Sequence, residues 1–303
     1  MSYKNILIRA DSSSTFGTGH IMRDLVLAKN YSTSNITFAT RSLKGNINNK
    51  ITQNRYEIKI LKSNDIKELS TLIKTLEINL LIIDHYDITY NQEKKLKVEN
   101  PTITIMVLDG TYKQHYCDIL LNHNIYAKKK QYKQLVPNWC KLKCGPKYTL
   151  LRDEFYEEKN KAYKLNKKFT FFIAMGGADT AHLNIKILKV LKKFKHIKIN
   201  LFTTSANRNL EELQSYCQTQ KWIKLYINSN KIAKLMSKSD FAITTPSVTA
   251  NELYFMQLPF LAIKTADNQQ KMYQFLKNND TIVLNKFSKR TLFNKIKNIL
   301  NKK

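Results

Sequence analysis

From its fifth residue the chain repeats one pattern: a short apolar run rich in Ile, Val, Leu and Phe, a polar turn, then a stretch with apolar residues three and four apart. Such runs are buried strands, because in a parallel sheet covered by helices neither side of a strand meets water. The stretches between them are helices, since only a helix brings residues three and four apart onto one face. Repetition of strand, helix and strand predicts a doubly wound parallel α/β fold. Strands are expected at 5–10, 35–39, 56–61, 79–84, 103–108 and 118–121, with helices such as 20–31 and 65–76 between them. The pattern lapses over 157–168, EEKNKAYKLNKK, where charge is dense and no apolar period survives. It restarts with strands at 169–175, 198–202, 224–227, 241–244 and 260–263, and helices near 181–193, 208–218, 231–236, 249–256 and 269–277. Two domains are therefore expected, 1–156 and 169–303, joined by a linker over 157–168, with a ligand cleft where the carboxyl ends of both sheets meet. A last helix from Ser288 carries Leu292, Ile296, Ile299 and Leu300 on one face. It is expected to close the fold, with the option of packing back on the first domain, and to turn its basic residues to solvent rather than to a membrane.

The formal net charge of +28 over 303 residues would by itself suggest a nucleic acid or an anionic surface as partner. Only seven of the 51 basic residues are arginine, however, and the lysines are scattered over the whole length. Base reading favours the bidentate arginine fork. No nucleic-acid partner is expected, and the basic surface serves instead to draw in an anionic substrate. No apolar run approaches the roughly 18 residues that span a bilayer, and the opening residues lack a signal-peptide cleavage region. A cytoplasmic protein without stable membrane insertion is expected, and a monomer. The four cysteines lack metal-ligand spacing, so they are read as reduced thiols and no metal site is expected.

Glycine is scarce, seven in the whole chain, so each one answers a backbone need. Two fall in the loop after the first strand, Arg9-Ala10-Asp11-Ser12-Ser13-Ser14-Thr15-Phe16-Gly17-Thr18-Gly19-His20-Ile21-Met22-Arg23-Asp24. The loop lacks the third glycine of a dinucleotide fingerprint and the lysine of a phosphate loop. It offers instead a histidine in the first turn of a helix, where the dipole favours a neutral base, with Asp11 and Arg23 beside it. Asp84-His85-Tyr86-Asp87 ends another strand at the same sheet edge, where Tyr86 can bond a substrate and Asp84 or His85 can orient it. In the second half Gly176-Gly177 follows a strand, and its N–H groups with the next helix start are expected to form an anion nest. Thr245-Pro246-Ser247 and Asn251-Glu252 follow: hydroxyls suit phosphate oxygens, and a glutamate accepts ribose hydroxyls. Asn268-Gln269 lies beyond a further strand at the same edge. Each position also has a plain structural reading: His20 as a cap, Asp84 and His85 as partners of loop backbone, Gly176-Gly177 as a tight turn, Glu252 as a capping acid.

Taken together, these motifs resemble the MurG-like group of nucleotide-sugar enzymes with the GT-B fold, two Rossmann-like doubly wound domains facing across a cleft. The runs DSSSTFGTGHIMRD (11–24), LIIDHY (81–86) and CDILLN (117–122), with Met175-Gly176-Gly177 and Asn251-Glu252, resemble more closely the UDP-sugar hydrolases of the pseudaminic acid pathway. The resemblance implies a hydrolysis without cofactor or metal, in which water attacks the anomeric carbon of a UDP-sugar, inverts it and expels UDP. It implies His20 as the residue that positions and deprotonates the water, with Tyr86 and Asn268 about the sugar. It implies Gly176, Gly177, Thr245, Ser247 and Glu252 around UDP, and Asp11, Gly17, Gly19, Arg23, Asp84, Asn251 and Gln269 as further substrate contacts. Thr245 and Pro246 depart from the pattern, which has serine at 245. The rival readings are a glycosyltransferase of the same fold that uses an acceptor in place of water, a nucleotide-sugar epimerase, and a basic nucleic-acid-binding protein.

Overall fold

Residues 6–10 of the first apolar run are buried without exception, as a strand covered on both faces requires. In the computed structural model, which describes residues 3–15, 17–161 and 168–301, this run is β1 (Asn5–Ala10). It is followed by α1 (Gly19–Ala28), β2 (Asn35–Arg41), α2 (Asn48–Gln53), β3 (Glu57–Leu61), α3 (Ile66–Thr75), β4 (Leu80–Asp84), α4 (Tyr90–Glu99), β5 (Thr104–Leu108), β6 (Ile119–Asn122) and β7 (Lys141–Cys144). The strands form one parallel sheet of order β3-β2-β1-β4-β5-β6-β7. Successive strand residues point to opposite faces, so they feed two cores: Ile6, Ile8, Phe38 and Ile82 on one side, Leu7, Ala39, Leu81 and Ile83 on the other.

The rest of the chain comprises α5 (Asp153–Lys159), β8 (Phe169–Ala174), α6 (Asn184–Leu191), β9 (Ile197–Thr203), α7 (Leu210–Gln218), β10 (Ile223–Ile227), α8 (Ile232–Ser237), β11 (Phe241–Thr244), α9 (Val248–Met256), β12 (Phe260–Ile263), α10 (Gln270–Lys277), β13 (Ile282–Leu284) and α11 (Lys289–Leu300). Its parallel sheet runs β10-β9-β8-β11-β12-β13. Phe171, Ile173, Leu201, Ile243 and Leu261 line one core cluster, and each is fully buried. A fully buried side chain of this size contributes roughly 1.5–3 kcal/mol through removal from water.

Two expectations need correction. The two compact units are Met1–Leu150 and Leu151–Lys303, so the boundary lies before 156. Glu157–Lys159, expected as linker, belongs to α5, which packs on α8 and α9 with Phe155 fully buried; seven residues, about two turns, are too few to show a period through the charges. Most of the remaining expected linker, 162–167, lies outside the described residues. The closing helix α11 packs in the second unit, with Leu292 and Ile296 fully buried in its core and α11 against α6. Both sheets also gain an edge strand that the sequence reading lacked. β7 is too lysine-rich and β13 too short to register as an apolar run.

Candidate active site

In each sheet the strand order reverses at one point, between β1 and β4 in the first unit and between β8 and β11 in the second. Loops leaving adjacent strands at such a point diverge to opposite faces and open a crevice at the carboxyl edge. The candidate residues after β1 and β4, and those after β8 and β11, stand at these two places.

In the first unit the loop after β1 folds back on itself, with Ser13 and Gly17 exchanging backbone bonds at 2.9 and 3.2 Å. Gly17 has φ +79°, a left-handed conformation that a side chain resists. A Cβ on Gly17 or Gly19 would meet no atom within 4 Å, so backbone here faces open space. Thr18 makes no side-chain cap and no acid stands in the first turn of α1, so the positive end of that helix is not neutralised by its own cap.

His20 follows in that turn and reaches β4. Its Nδ1 lies 2.8 Å from Asp84 Oδ1 and 3.1 Å from the Asp84 carbonyl oxygen. Arg23 Nη2 also lies 3.0 Å from Nδ1, but the two Asp84 oxygens there can only accept, so the proton is assigned to Nδ1 and Nε2 keeps a lone pair, with no hydrogen bond to it among the described residues. Arg23, one turn further along α1, donates to both oxygens of the same carboxylate, Nε at 2.5 Å and Nη2 closer still. Burial alone would raise the Asp84 pKa, but Arg23 and His20 outweigh it and hold the group well below the carboxylate range. The Tyr86 ring stands edge-on to His20, centroids 4.9 Å apart, and is 46% exposed.

Asp11 is a second buried anion. Arg9 holds it with two bonds of 2.7 and 2.9 Å, Arg41 gives its Nε at 2.7 Å and its backbone N–H at 2.8 Å, and His85 Nε2 approaches to 2.9 Å. Burial opposes ionisation here too, and these donors overcome it. The Asp87 N–H donates to His85 Nδ1, which places the His85 proton on Nε2 and commits both nitrogens. Of the two residues expected to orient a substrate, Asp84 therefore orients His20, and His85 is locked to Asp11. Asp11, His20, Asp84, His85, Tyr86 and Asp87 line a recess of about 10 Å³, room for about one water.

In the second unit Gly176 has φ +79° and Gly177 packs so tightly that a Cβ would come within 2.9 Å of Thr204 Cγ2. The Gly177 carbonyl accepts the Thr204 N–H at 3.1 Å and the Thr203 and Thr204 hydroxyls at 3.1 and 3.0 Å, strapping the turn to the end of β9. The expected nest of glycine turn plus helix start is corrected in part. α6 begins seven residues past Gly177, and its first N–H groups are already taken by Asp179, whose carboxylate accepts from Leu183 and Asn184 at 2.9 Å each. After β11, Thr245 Oγ1 and Ser247 Oγ are 3.0 Å apart and Ser247 is the N-cap of α9 without a side-chain cap bond. Asn251 is buried in the first turn of α9. Glu252 beside it is pushed up to about 7 by burial, with Arg152 pulling down and Glu154 adding upward. Arg152 stands 3.6 Å from Glu252 and 2.7 Å from Glu154. Asn268 is exposed, whereas the Gln269 side-chain Oε1 accepts the Thr265 N–H at 2.8 Å and shapes the loop before α10.

Sequence reasoning missed Arg41 and Arg152. Arg41 lies two residues beyond the expected end of its strand, and Arg152 sits in an aperiodic segment, so neither carried a local signal. No helix among the described residues is long and apolar enough to cross a membrane.

Two parallel sheets, each with its candidate residues at the switch point, define a protein of the GT-B fold. The fold is similar to that of Acinetobacter baumannii MurG, with a TM-score of 0.66 at 12% identity over 98% of this chain and 91% of that one. It is similar also to spinosyn rhamnosyltransferase SpnG, with a TM-score of 0.67 at 9% identity over 98% and 92%. No family profile matches the sequence. The sequence is 43% identical over 271 residues to the UDP-2,4-diacetamido-2,4,6-trideoxy-β-L-altropyranose hydrolase of Campylobacter jejuni, covering 89% of this chain and 95% of that protein. The chain belongs to the family of this hydrolase.

Proposed function

We propose that the chain hydrolyses UDP-2,4-diacetamido-2,4,6-trideoxy-β-L-altropyranose, the substrate in its relative's name, releasing UDP without a metal, as a step of pseudaminic acid biosynthesis. The observation that carries the reading is the His20–Asp84 pair: a histidine whose Nδ1 proton is tied to a buried carboxylate, leaving Nε2 unbonded beside a recess for one water. Water in that place attacks the anomeric carbon from the side opposite UDP. The water oxygen forms the new C–O bond, its proton passes to Nε2, and the bond to the phosphate oxygen breaks with its electrons going to UDP. The configuration at that carbon inverts. Asp84 lies against the imidazolium as it forms and stabilises it, while the Arg23 fork keeps the carboxylate from turning away. UDP is a good leaving group already, so a positioned water and a base supply most of what the reaction needs.

In this reading Tyr86 and Asn268 meet the sugar, the uncapped start of α1 with Gly17 and Gly19 accepts substrate oxygens, and Gly176, Gly177, Thr245, Ser247, Asn251 and Glu252 hold UDP. The test is UDP release from this substrate in heavy-oxygen water, with no acceptor and with a chelator present. The label should appear on the anomeric oxygen of the sugar, with UDP unlabelled. Label in the UDP phosphate would mean attack at phosphorus, and turnover only after addition of an acceptor alcohol would make the protein a transferase.

A further inference from the structure

His20, Arg23 and Asp24 stand three and four residues apart on α1, so they share one helical face. His20 and Arg23 use that face to reach Asp84. Asp24 has no exposed surface, yet neither of its carboxyl oxygens has a hydrogen-bond partner among the described residues. His123, just past β6, is in the same condition: it is buried and neither ring nitrogen is bonded. Arg23 and Asp84 act on both groups, and His20 acts on His123 as well. Asp24 and His123 thus belong to the wall behind the base, and the mechanism above uses neither.

An ionised carboxylate in such a place would lack any donor to replace its water. Burial accordingly pushes Asp24 well above the carboxylate range; the neighbouring Asp84 carboxylate pushes the same way, and Arg23 opposes them. Burial also lowers the His123 imidazole to about 3, with the Arg23 cation adding to the effect. In both groups burial disfavours the charged form.

We propose that Asp24 is a positioning residue for the base, standing behind His20 as a neutral carboxylic acid so that the Asp84 carboxylate has no rival for His20 Nδ1 and the Arg23 fork. Were Asp24 ionised, two carboxylates would divide one guanidinium, and the His20 ring would have a second anion to turn toward. The proposal rests on the reading of His20 as the base, and its test separates the two. Asp24→Ala should lower kcat about tenfold with KM for the UDP-sugar little changed. Asp24→Asn, which restores the shape of the acid and its neutrality, should recover most of that loss. Difference infrared spectra of the resting enzyme against Asp24→Asn should contain the carbonyl stretch of one protonated carboxylic acid at neutral pH. A carboxylate band in its place, or an Asp24→Asn variant no better than Asp24→Ala, would overturn the proposal. Should Asp24→Ala fail to fold, the infrared difference between wild type and Asp24→Asn decides alone. That band does not depend on which residue is the base, whereas turnover of His20→Asn tests the base and leaves the protonation of Asp24 untouched.

Discussion

The Arg152 guanidinium stands 3.6 Å from the Glu252 carboxylate, too far for a hydrogen bond, while it grips Glu154 at 2.7 Å. Glu252 is therefore a partly buried acid whose nearby guanidinium also pairs with Glu154, and its pKa of about 7 follows from desolvation first, with Arg152 only partly offsetting it. Such an acid is free to accept hydroxyl groups from a ligand once it ionises.

The pH dependence has two signs. Ribose hydroxyls donate best to the ionised form, so UDP affinity should rise as pH increases through about 7 and level off above it. Stability runs the other way. A carboxyl whose pKa is higher folded than unfolded favours the folded state most below its unfolded value, and that contribution is lost as pH rises through the folded one. Glu252→Gln should thus bind UDP more weakly and with little pH dependence, yet exceed the wild type in stability at pH 8 by about 1–3 kcal/mol. Calorimetric titration with UDP and denaturant unfolding at two pH values check both.

His20→Asn keeps the approximate size and a hydrogen bond to Asp84 but removes the base. Turnover should fall by about 10²- to 10⁴-fold, while UDP affinity changes by less than about threefold, a ratio worth under 1 kcal/mol. Near-normal turnover, or loss of UDP binding alongside turnover, would assign His20 another role. Steady-state kinetics with UDP titration distinguish the outcomes.

Asp11→Asn leaves Arg9, which is fully buried, with a neutral partner in place of an anion. Breaking a buried pair from one side typically costs about 3–5 kcal/mol. Because the Asp11 pKa is depressed in the folded protein, its stabilisation is present above the ordinary carboxylate value and lost as pH falls. The stability gap between wild type and Asp11→Asn should be full above about pH 5 and narrow only as pH falls below about 4, as read from urea midpoints.

Gly177→Ala places a methyl group against Thr204 side-chain atoms at 2.9 and 3.0 Å, and Thr204 is one of the groups that straps the turn in place. Gly176→Ala meets no atom but must adopt φ +79°. The first substitution should therefore move the turn and weaken UDP binding by about tenfold, or 1.4 kcal/mol. The second should lower stability by about 1 kcal/mol through backbone strain. Titration and thermal unfolding of the two variants side by side test the assignment of each glycine.

The βαβ alternation was legible because every central strand is buried on both faces and so reads as a solid apolar run. What escaped had no such run: β7 alternates lysine with apolar residues at a sheet edge, and α5 shows too few turns for a period. In the candidate site, His20, Arg23 and Asp84 stood out as polar residues at strand and helix ends, and they meet as one cluster. The pairing of Arg9 with Asp11 was also open to reading, since a charge inside an apolar strand needs a nearby counter-charge. Asp179 was not, because the sequence places α6 too early and a cap is recognised only from a helix start. Arg152 reaches Glu252 across a long sequence separation that only the folded chain brings together.

The recess beside His20 has a bore of about 10 Å³, and that number is a filter on the nucleophile. Transfer to an alcohol requires the attacking oxygen to enter with a carbon attached, and in the proposed mechanism a recess that seats a single water disfavours the larger nucleophile. On this reading, volume weights the choice toward hydrolysis. Methanol added as a competing nucleophile should capture far less of the sugar than its concentration relative to water would allow, and trimming Tyr86 at the rim should let it in.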